Sequence, residues 1–437
     1  MLRFGTQSID DQGHLTIGGC DTVELARTFG TPLYVLDEAL VRQSCRDYHR
    51  AFEGRYPRVE VAYAGKALLC QAICRIVEQE GMALDVASAG ELHTALTASF
   101  PADRIYLHGN CKSAAMLDMA LASGVKRIVV DSHEELEALD EVARTRGETA
   151  PILIRVAPGI KAQTHTFIQT GQEDTKFGLA IASGAAMTAI GRALALDSVA
   201  LHGVHCHIGS QLFGLESYRR AVEVIVEFLD QVRSATGVTL DELSLGGGLG
   251  IQYTHEQTPP TVDDLAAMIT TALHEQCEQH QYPRPVLGLE PGRSIVGPAG
   301  TTLYTVMVVK DLPGVRTYVS VDGGLSDNPR PCMYDAVYEA VIANKANDPP
   351  TMTVRVAGAH CETDTLLSEA SIQPTERGDI LAVFSTGAYN YSMASNYNRF
   401  PRPAMVTVYE GKAEIIVERE GLADLIRQDR APDRLGR

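Results

Sequence analysis

Residues 59–108 read VEVAYAGKALLCQAICRIVEQEGMALDVASAGELHTALTASFPADRIYLH. Two kinds of segment alternate in this stretch. The short apolar runs 59–64, 83–87 and 104–108 have the length and side chains of buried strands. Between them, residues 68–79 and 91–98 repeat apolar side chains at three and four positions, which gives each one buried helical stripe. The alternation continues to residue 290. Further strand-like runs lie at 127–131, 152–156, 201–205, 242–245 and 286–289, with helical spacing at 134–144, 218–232 and 264–279. Eight strands joined by helices imply a parallel sheet, and that number predicts a (β/α)8 barrel of the TIM type. A doubly wound open sheet is the alternative topology.

Beyond residue 290 the texture changes. Residues 301–309, 316–321, 351–356, 379–384, 404–408 and 415–418 are β-rich, and helical pattern is sparse. Residues 1–36 also read as β, ending in the run 32–36. The expected organisation is therefore an α/β barrel over residues 37–290 and a second, mainly β domain built from both chain ends, 1–36 and 291–437. The stretch from Asp424 onward is charged and is expected to be a short helix or a frayed tail.

Composition narrows the function. With 38 basic and 55 acidic residues among 437, the formal charge is −17, a surface that repels nucleic acid. No apolar run approaches the ~18 residues of a membrane helix, and residues 1–14 lack the apolar core of a signal peptide. The expectation is a cytoplasmic protein without membrane or nucleic-acid partners. Its nine cysteines, an odd number in a long chain, then read as free thiols.

In a barrel of this kind chemistry gathers just past the C-terminal ends of the strands. The residues at those ends are unusual. Strand one runs into Tyr63-Ala64-Gly65-Lys66, strand two ends near Asp85, strand three at His108-Gly109-Asn110, and strand five carries Arg155. Strand six runs into His205-Cys206-His207-Ile208-Gly209-Ser210, strand seven into Gly246-Gly247-Gly248-Leu249-Gly250, and strand eight into Glu290-Pro291-Gly292-Arg293. Gly246, Gly247 and Gly248 leave backbone N–H groups free to approach an anion, and phosphate sites in such barrels favour the loops after strands seven and eight. The run is neither a Walker loop nor a dinucleotide fingerprint, because the required Lys-Ser/Thr and Gly spacing are missing. A bare tight loop would also use these glycines.

Lys66, directly after an apolar strand, is expected to be partly desolvated, which favours the neutral amine that condenses with a carbonyl. An isolated rim lysine would more simply be solvated or ion-paired. A lysine, a phosphate cradle and Glu290 on one rim are together what pyridoxal phosphate requires, since a carboxylate beside the pyridine nitrogen keeps the ring an electron sink. His205 and His207 share a strand face and could bind zinc, but no third ligand has comparable spacing, so no metal is expected. One histidine stacked on a flat cofactor ring is the better functional reading, with a core histidine as the plain alternative.

At this point the residues match a family. The chain resembles the diaminopimelate decarboxylases, pyridoxal-phosphate enzymes of the alanine-racemase/ornithine-decarboxylase fold. The matching segments are 63–67, 205–211, 245–250, 290–293, 328–334, Cys361-Glu362, and Gly387-Ala388-Tyr389 leading into SMASNYNRFPRP at 392–403. Residues 165–178, HTFIQTGQEDTKFG, resemble the diaminopimelate rather than the ornithine branch. The resemblance implies a homodimer with active sites shared across the interface. It implies that Lys66 carries the cofactor and that His207 stacks on its ring. Ser210, Gly246, Gly247, Gly248, Gly292, Arg293 and Tyr389 would hold the cofactor, chiefly its phosphate, and Glu290 would face the pyridine nitrogen. Arg293, Arg330, Tyr334 and Tyr389 would line the substrate, with the arginines on the carboxylate of its retained end and Glu362 on the distal amine. Cys361 would be the general acid, supplied by the other subunit. The family usually follows Cys-Glu with Ser-Gly-Asp, whereas this chain has Cys361-Glu362-Thr363-Asp364-Thr365.

The implied reaction is decarboxylation of meso-2,6-diaminoheptanedioate to L-lysine and CO2, the last step of lysine biosynthesis by that route. The alternative is a decarboxylase of the same fold acting on ornithine, lysine, arginine or carboxynorspermidine. Arg293, Arg330 and Glu362 weigh against it, because ornithine lacks a distal carboxylate. From the residues alone Cys361 could equally be an ordinary buried thiol, and the arginines could be ion-paired.

Overall fold

The computed structural model describes residues 3–160 and 176–435. The chain divides into two compact units. One comprises residues 42–252 and 258–295, and the other comprises 1–41, 253–257 and 296–437.

The first unit is a closed parallel barrel. Its strands are β1 (Val59–Ala64), β2 (Ala83–Val86), β3 (Ile105–Leu107), β4 (Arg127–Val130), β5 (Ala150–Ala157), β6 (Val199–His205), β7 (Glu242–Ser244) and β8 (Val286–Leu289). Each pairs in parallel with the next, and β8 closes on β1 through Leu287 opposite Val59 and Leu289 opposite Val61. Every expected strand is present, and closure excludes the open-sheet alternative. A short strand, Leu179–Ala180, lies alongside β5 outside the ring. Ala62, Ala83, Tyr106, Val129 and Leu153 form one buried layer across the barrel interior. Near its N-terminal mouth, Lys126 pairs with Glu60 and Arg127 with Glu242. Such pairs let charged strand ends approach the interior without an unpaired ion.

Local chemistry sets the helix boundaries. Ser88, Ser113 and Ser132 each accept a hydrogen bond from the backbone N–H three residues on, and Thr261 forms a capping box with Asp264. Gly124 and Gly147 close their helices at φ +72° and +67°, a conformation that costs glycine little. The helix expected over residues 68–79 begins later, at Gln71 (Gln71–Gln79), because the strand end first makes a tight turn at Gly65–Ala67.

The second unit holds a nine-stranded sheet. Its main path runs Thr365–Ile372, Met352–Ala357, Arg316–Val321, Gly300–Leu312, Leu33–Asp37, Ala404–Tyr409 and Lys412–Val417. Ile380–Val383 adds to Gly300–Leu312 and carries Ala340–Ile342 on its other edge. Leu33–Asp37, buried along its whole length, is antiparallel to Gly300–Leu312 and parallel to Ala404–Tyr409, so the chain's start is stitched into the sheet made by its end. Leu33, Val35, Leu303, Ala382, Val406 and Val408 join Leu15 and Ile17 in the core of this unit.

Residues 1–36 are not purely β. Thr22–Phe29 is an amphipathic helix capped by Asp21, whose carboxylate accepts from the Val23 N–H. Two strands of this sheet, Thr365–Ile372 and Ala340–Ile342, have no counterpart in the sequence reading. The first carries Glu369 and two serines in a broken alternation, and the second is three residues long. The tail forms a helix at Leu422–Ile426 and a final turn at Asp433–Leu435.

Candidate active site

Glu290, one residue past β8, is the centre of the barrel site. Its Oε2 lies 2.9 Å from His205 Nε2, and its Oε1 accepts from Ser244 Oγ at 2.8 Å. His108 Nε2 stands 3.5 Å from Oε1 and 3.7 Å from Asp85 Oδ1. Burial opposes the charge on Glu290, but His205 and His108, with the hydrogen bonds from His205 and Ser244, outweigh it and hold the carboxyl well below its usual range. Asp85 behaves oppositely. Burial, and then the charge of Glu290, push its carboxyl well up. The two neighbouring carboxyls are thus pushed in opposite directions, the kind of splitting that marks working sites.

The two histidines of the His-Cys-His triplet turn to different partners. His205, the last residue of β6, faces Glu290, whereas His207 Nδ1 accepts the Gly247 N–H at 3.3 Å. The pair diverges because the chain leaves β6 after His205, so the alternation of a strand no longer governs His207. Burial, then the charges of Lys66 and Arg155, hold the His207 imidazole well below its usual range, so this ring is neutral. His108, His205 and Glu290 bring ligand-type atoms within 4.8 Å of one another, a grouping that spacing along the chain did not reveal. An ionised carboxylate only accepts, so His205 Nε2 donates its proton to Glu290 and offers no lone pair there.

The glycine run packs against its neighbours at backbone distance. A Cβ on Gly247 would stand 2.2 Å from the Glu290 carbonyl oxygen, and one on Gly248 2.4 Å from that of Gly209. Gly246 and Gly248 also hold φ of +68° and +113°. Buried Arg293 reaches Ser210 Oγ through Nη2 at 2.9 Å, which sets a cation and a hydroxyl beside this loop. Gly292 lies close against the end of β1, where a Cβ would stand 3.0 Å from the Ala64 side chain. Lys66 is exposed, which corrects the expectation of partial desolvation. It sits in the turn after β1, where Gly65 and Ala67 take the buried positions.

The remaining candidates belong to the second unit. Arg330 is buried, and its Nη1 donates to Tyr253 Oη at 3.0 Å and Tyr338 Oη at 2.6 Å. Tyr334 ends the short helix Arg330–Tyr334 and is half-buried. Tyr389 has φ +67°, which an aromatic residue rarely adopts outside a constrained site. Cys361 is exposed, with its backbone N–H on Asn398 Oδ1 at 3.0 Å, which removes the buried-thiol reading. Glu362 accepts from Tyr397 Oη at 2.7 Å. Sequence reasoning assigned no role to Ser244, Tyr253, Tyr338 or Asn398. Ser244 carried a signal, since it stands two positions before the glycine loop, and Asn398 lies within the motif at 392–403.

Residues 39–297 match the family described as pyridoxal-dependent decarboxylase, pyridoxal binding domain. The chain is 47% identical over 430 residues to the diaminopimelate decarboxylase of Halalkalibacterium halodurans, covering 98% of each. It belongs to the diaminopimelate decarboxylase family. The Bacillus subtilis member is 45% identical, again over 98% of both chains. The crystal structure of the M. jannaschii diaminopimelate decarboxylase in co-complex with L-lysine superposes with a TM-score of 0.92 at 38% identity, covering 98% of this chain and 99% of that one.

A member of this family needs an amine, a carboxylate that stays ionised, a flat platform and an anion cradle for pyridoxal phosphate. The barrel offers Lys66, Glu290, His207 and the glycine loop with Ser210 and Arg293, so the donor set fits the cofactor. Of the diaminopimelate-type motif at residues 165–178, positions 165–175 lie outside the described residues. Among the described residues no helix is long and apolar enough to cross a membrane.

Proposed function

We propose that this chain binds pyridoxal phosphate and decarboxylates meso-2,6-diaminoheptanedioate to L-lysine and CO2. The observation that carries the reading is Glu290, held by His205 and Ser244 on the same barrel rim as Lys66, in a chain related to diaminopimelate decarboxylases over 98% of its length. When bound, the cofactor supplies an electron sink for the pair released as the carbon–carboxylate bond breaks. Lys66 would provide the amine that holds it, and Glu290 would supply the carboxylate that keeps its ring an electron sink. His207 supports the ring face. Ser210, Gly246, Gly247, Gly248, Gly292, Arg293 and Tyr389 hold the phosphate end.

Arg330, Tyr334 and Arg293 are assigned to the distal carboxylate and Glu362 to the distal amine. The two tyrosine hydroxyls on Arg330 support this, since they hold a buried guanidinium in one orientation. Cys361 gives a proton to the carbon that has lost CO2. We assign the working form as a homodimer in which Cys361 serves the partner's site. Nine unpaired thiols suit a reducing, cytoplasmic setting.

The direct test loads the protein with pyridoxal phosphate and measures CO2 released from diaminopimelate, lysine, ornithine and arginine. Diaminopimelate should be strongly preferred, and a preference for ornithine would overturn the reading. Arg330→Met should weaken diaminopimelate by on the order of 10²-fold or more in kcat/KM, because a desolvated carboxylate then lacks its partner. Lysine, with no distal carboxylate, should lose far less. Equal loss for both would make Arg330 structural.

Glu290→Gln should lower turnover by on the order of 10²–10³-fold, the scale of removing one preorganised electrostatic group. Cofactor affinity, measured by titrating its absorbance, should change less. Falling affinity with unchanged turnover would make Glu290 only an anchor.

A further inference from the structure

The loop bearing Cys361 and Glu362 is flanked by a buried pair, His360 before them and Asp364 after them. Asp364 is 4% exposed. Its Oδ2 accepts from His360 Nδ1 at 2.5 Å and from the His360 backbone N–H at 3.2 Å, and its Oδ1 accepts from the Leu325 N–H at 2.9 Å. The carboxylate occupies a slot that only glycine leaves open. A Cβ on Gly358 would lie 2.0 Å from Oδ2, and one on Gly324 2.1 Å away.

The His360 ring in turn lies against Phe400, with ring centres 4.6 Å apart, and Tyr397, at 5.8 Å. Tyr397 and Asn398 then reach back to Glu362 and to the Cys361 N–H. The side chains of His360 and Asp364 thus tie the two ends of a short loop together, with Cys361 and Glu362 exposed between them. The segment 397–400 of the long family motif braces the same loop from one side.

We propose that His360 and Asp364 are positioning residues, a buried clasp that fixes where Cys361 and Glu362 are presented. This rests on the assignment of Cys361 as proton donor made above. The clasp restricts the loop through hydrogen bonds to a carboxylate in a socket lined by Gly324 and Gly358.

Two substitutions separate the bond from the packing. His360→Asn keeps a side-chain N–H near the place of Nδ1, and His360→Phe keeps a flat ring against Tyr397 and Phe400 but has no N–H. On cofactor-loaded protein one would measure kcat for diaminopimelate, cofactor affinity, melting temperature, and the alkylation rate of Cys361 by iodoacetamide relative to exposed Cys111. His360→Phe should lower kcat by on the order of 10²-fold, the cost of a small misplacement of a reacting group. It should also change the relative alkylation rate of Cys361, leave cofactor affinity unchanged, and be rescued in large part by the Asn variant. Wild-type kcat and alkylation in the Phe variant would overturn the proposal. So would equal losses in both variants that track melting temperature and cofactor affinity. If Cys361→Ala keeps wild-type turnover, the proton-donor assignment fails by itself, and the alkylation rate still decides the clasp: a change supports it and no change overturns it.

Discussion

Lys66→Ala is expected to leave the protein folded and to lower turnover by roughly 10⁴-fold or more, the scale of removing a covalent catalytic group. The two halves of this expectation have separate causes. Lys66 is exposed in the turn Gly65–Ala67, so truncating it removes little packing, and stability should stay within about 0.5 kcal/mol. The groups at the centre of the site, Glu290 with His205 and Ser244, do not depend on it. The chemistry does, because an amine must hold the cofactor and hand it to the substrate. Borohydride treatment of the loaded wild type should fix the cofactor to Lys66, read by peptide mass spectrometry. A label on another lysine would sink the assignment. So would unimpaired turnover of the variant.

Cys361→Ala is expected to cost about 10²–10⁴-fold, as removal of a general acid does, with cofactor binding intact. The sharper version mixes this variant with Lys66→Ala. Each alone should be strongly impaired, so a restored site stands out above the residual turnover. If the sites are shared across a two-fold dimer, a mixed dimer has one site with both defects and one with neither. Random exchange of equal amounts then restores about a quarter of wild-type sites. No recovery, once exchange has been demonstrated by mass, would mean that both residues serve the same subunit and would end the shared-site reading.

The residue order alone predicted eight parallel strands and favoured a barrel, and closure of the last strand on the first decided it against an open sheet. Alternation of short apolar runs with helical stripes is a local property, so eight strands could be located from spacing, and Lys66, His207, Gly246 to Gly248 and Glu290 fell at their ends. The cap chemistry of Ser88, Ser132 and Thr261 is equally local. Boundaries were less legible where a strand end turns before its helix, as at Gly65–Ala67, and Thr365–Ile372 escaped notice because polar residues interrupt its alternation.

Tertiary structure decided what those residues meet. Nothing in a linear pattern says that His108 and His205 stand beside Glu290, or that the Asp85 carboxyl is pushed up while that of Glu290 is pushed down. These states depend on burial and on charges brought from other strands, and both exist only once the sheet has closed. The same holds for Arg330 between Tyr253 and Tyr338, and for Asp364 in a slot lined by Gly324 and Gly358. Periodicity fixes which face of an element is buried. Electrostatics and close packing depend on separations of a few ångströms between residues far apart in the chain, and only the folded chain sets those.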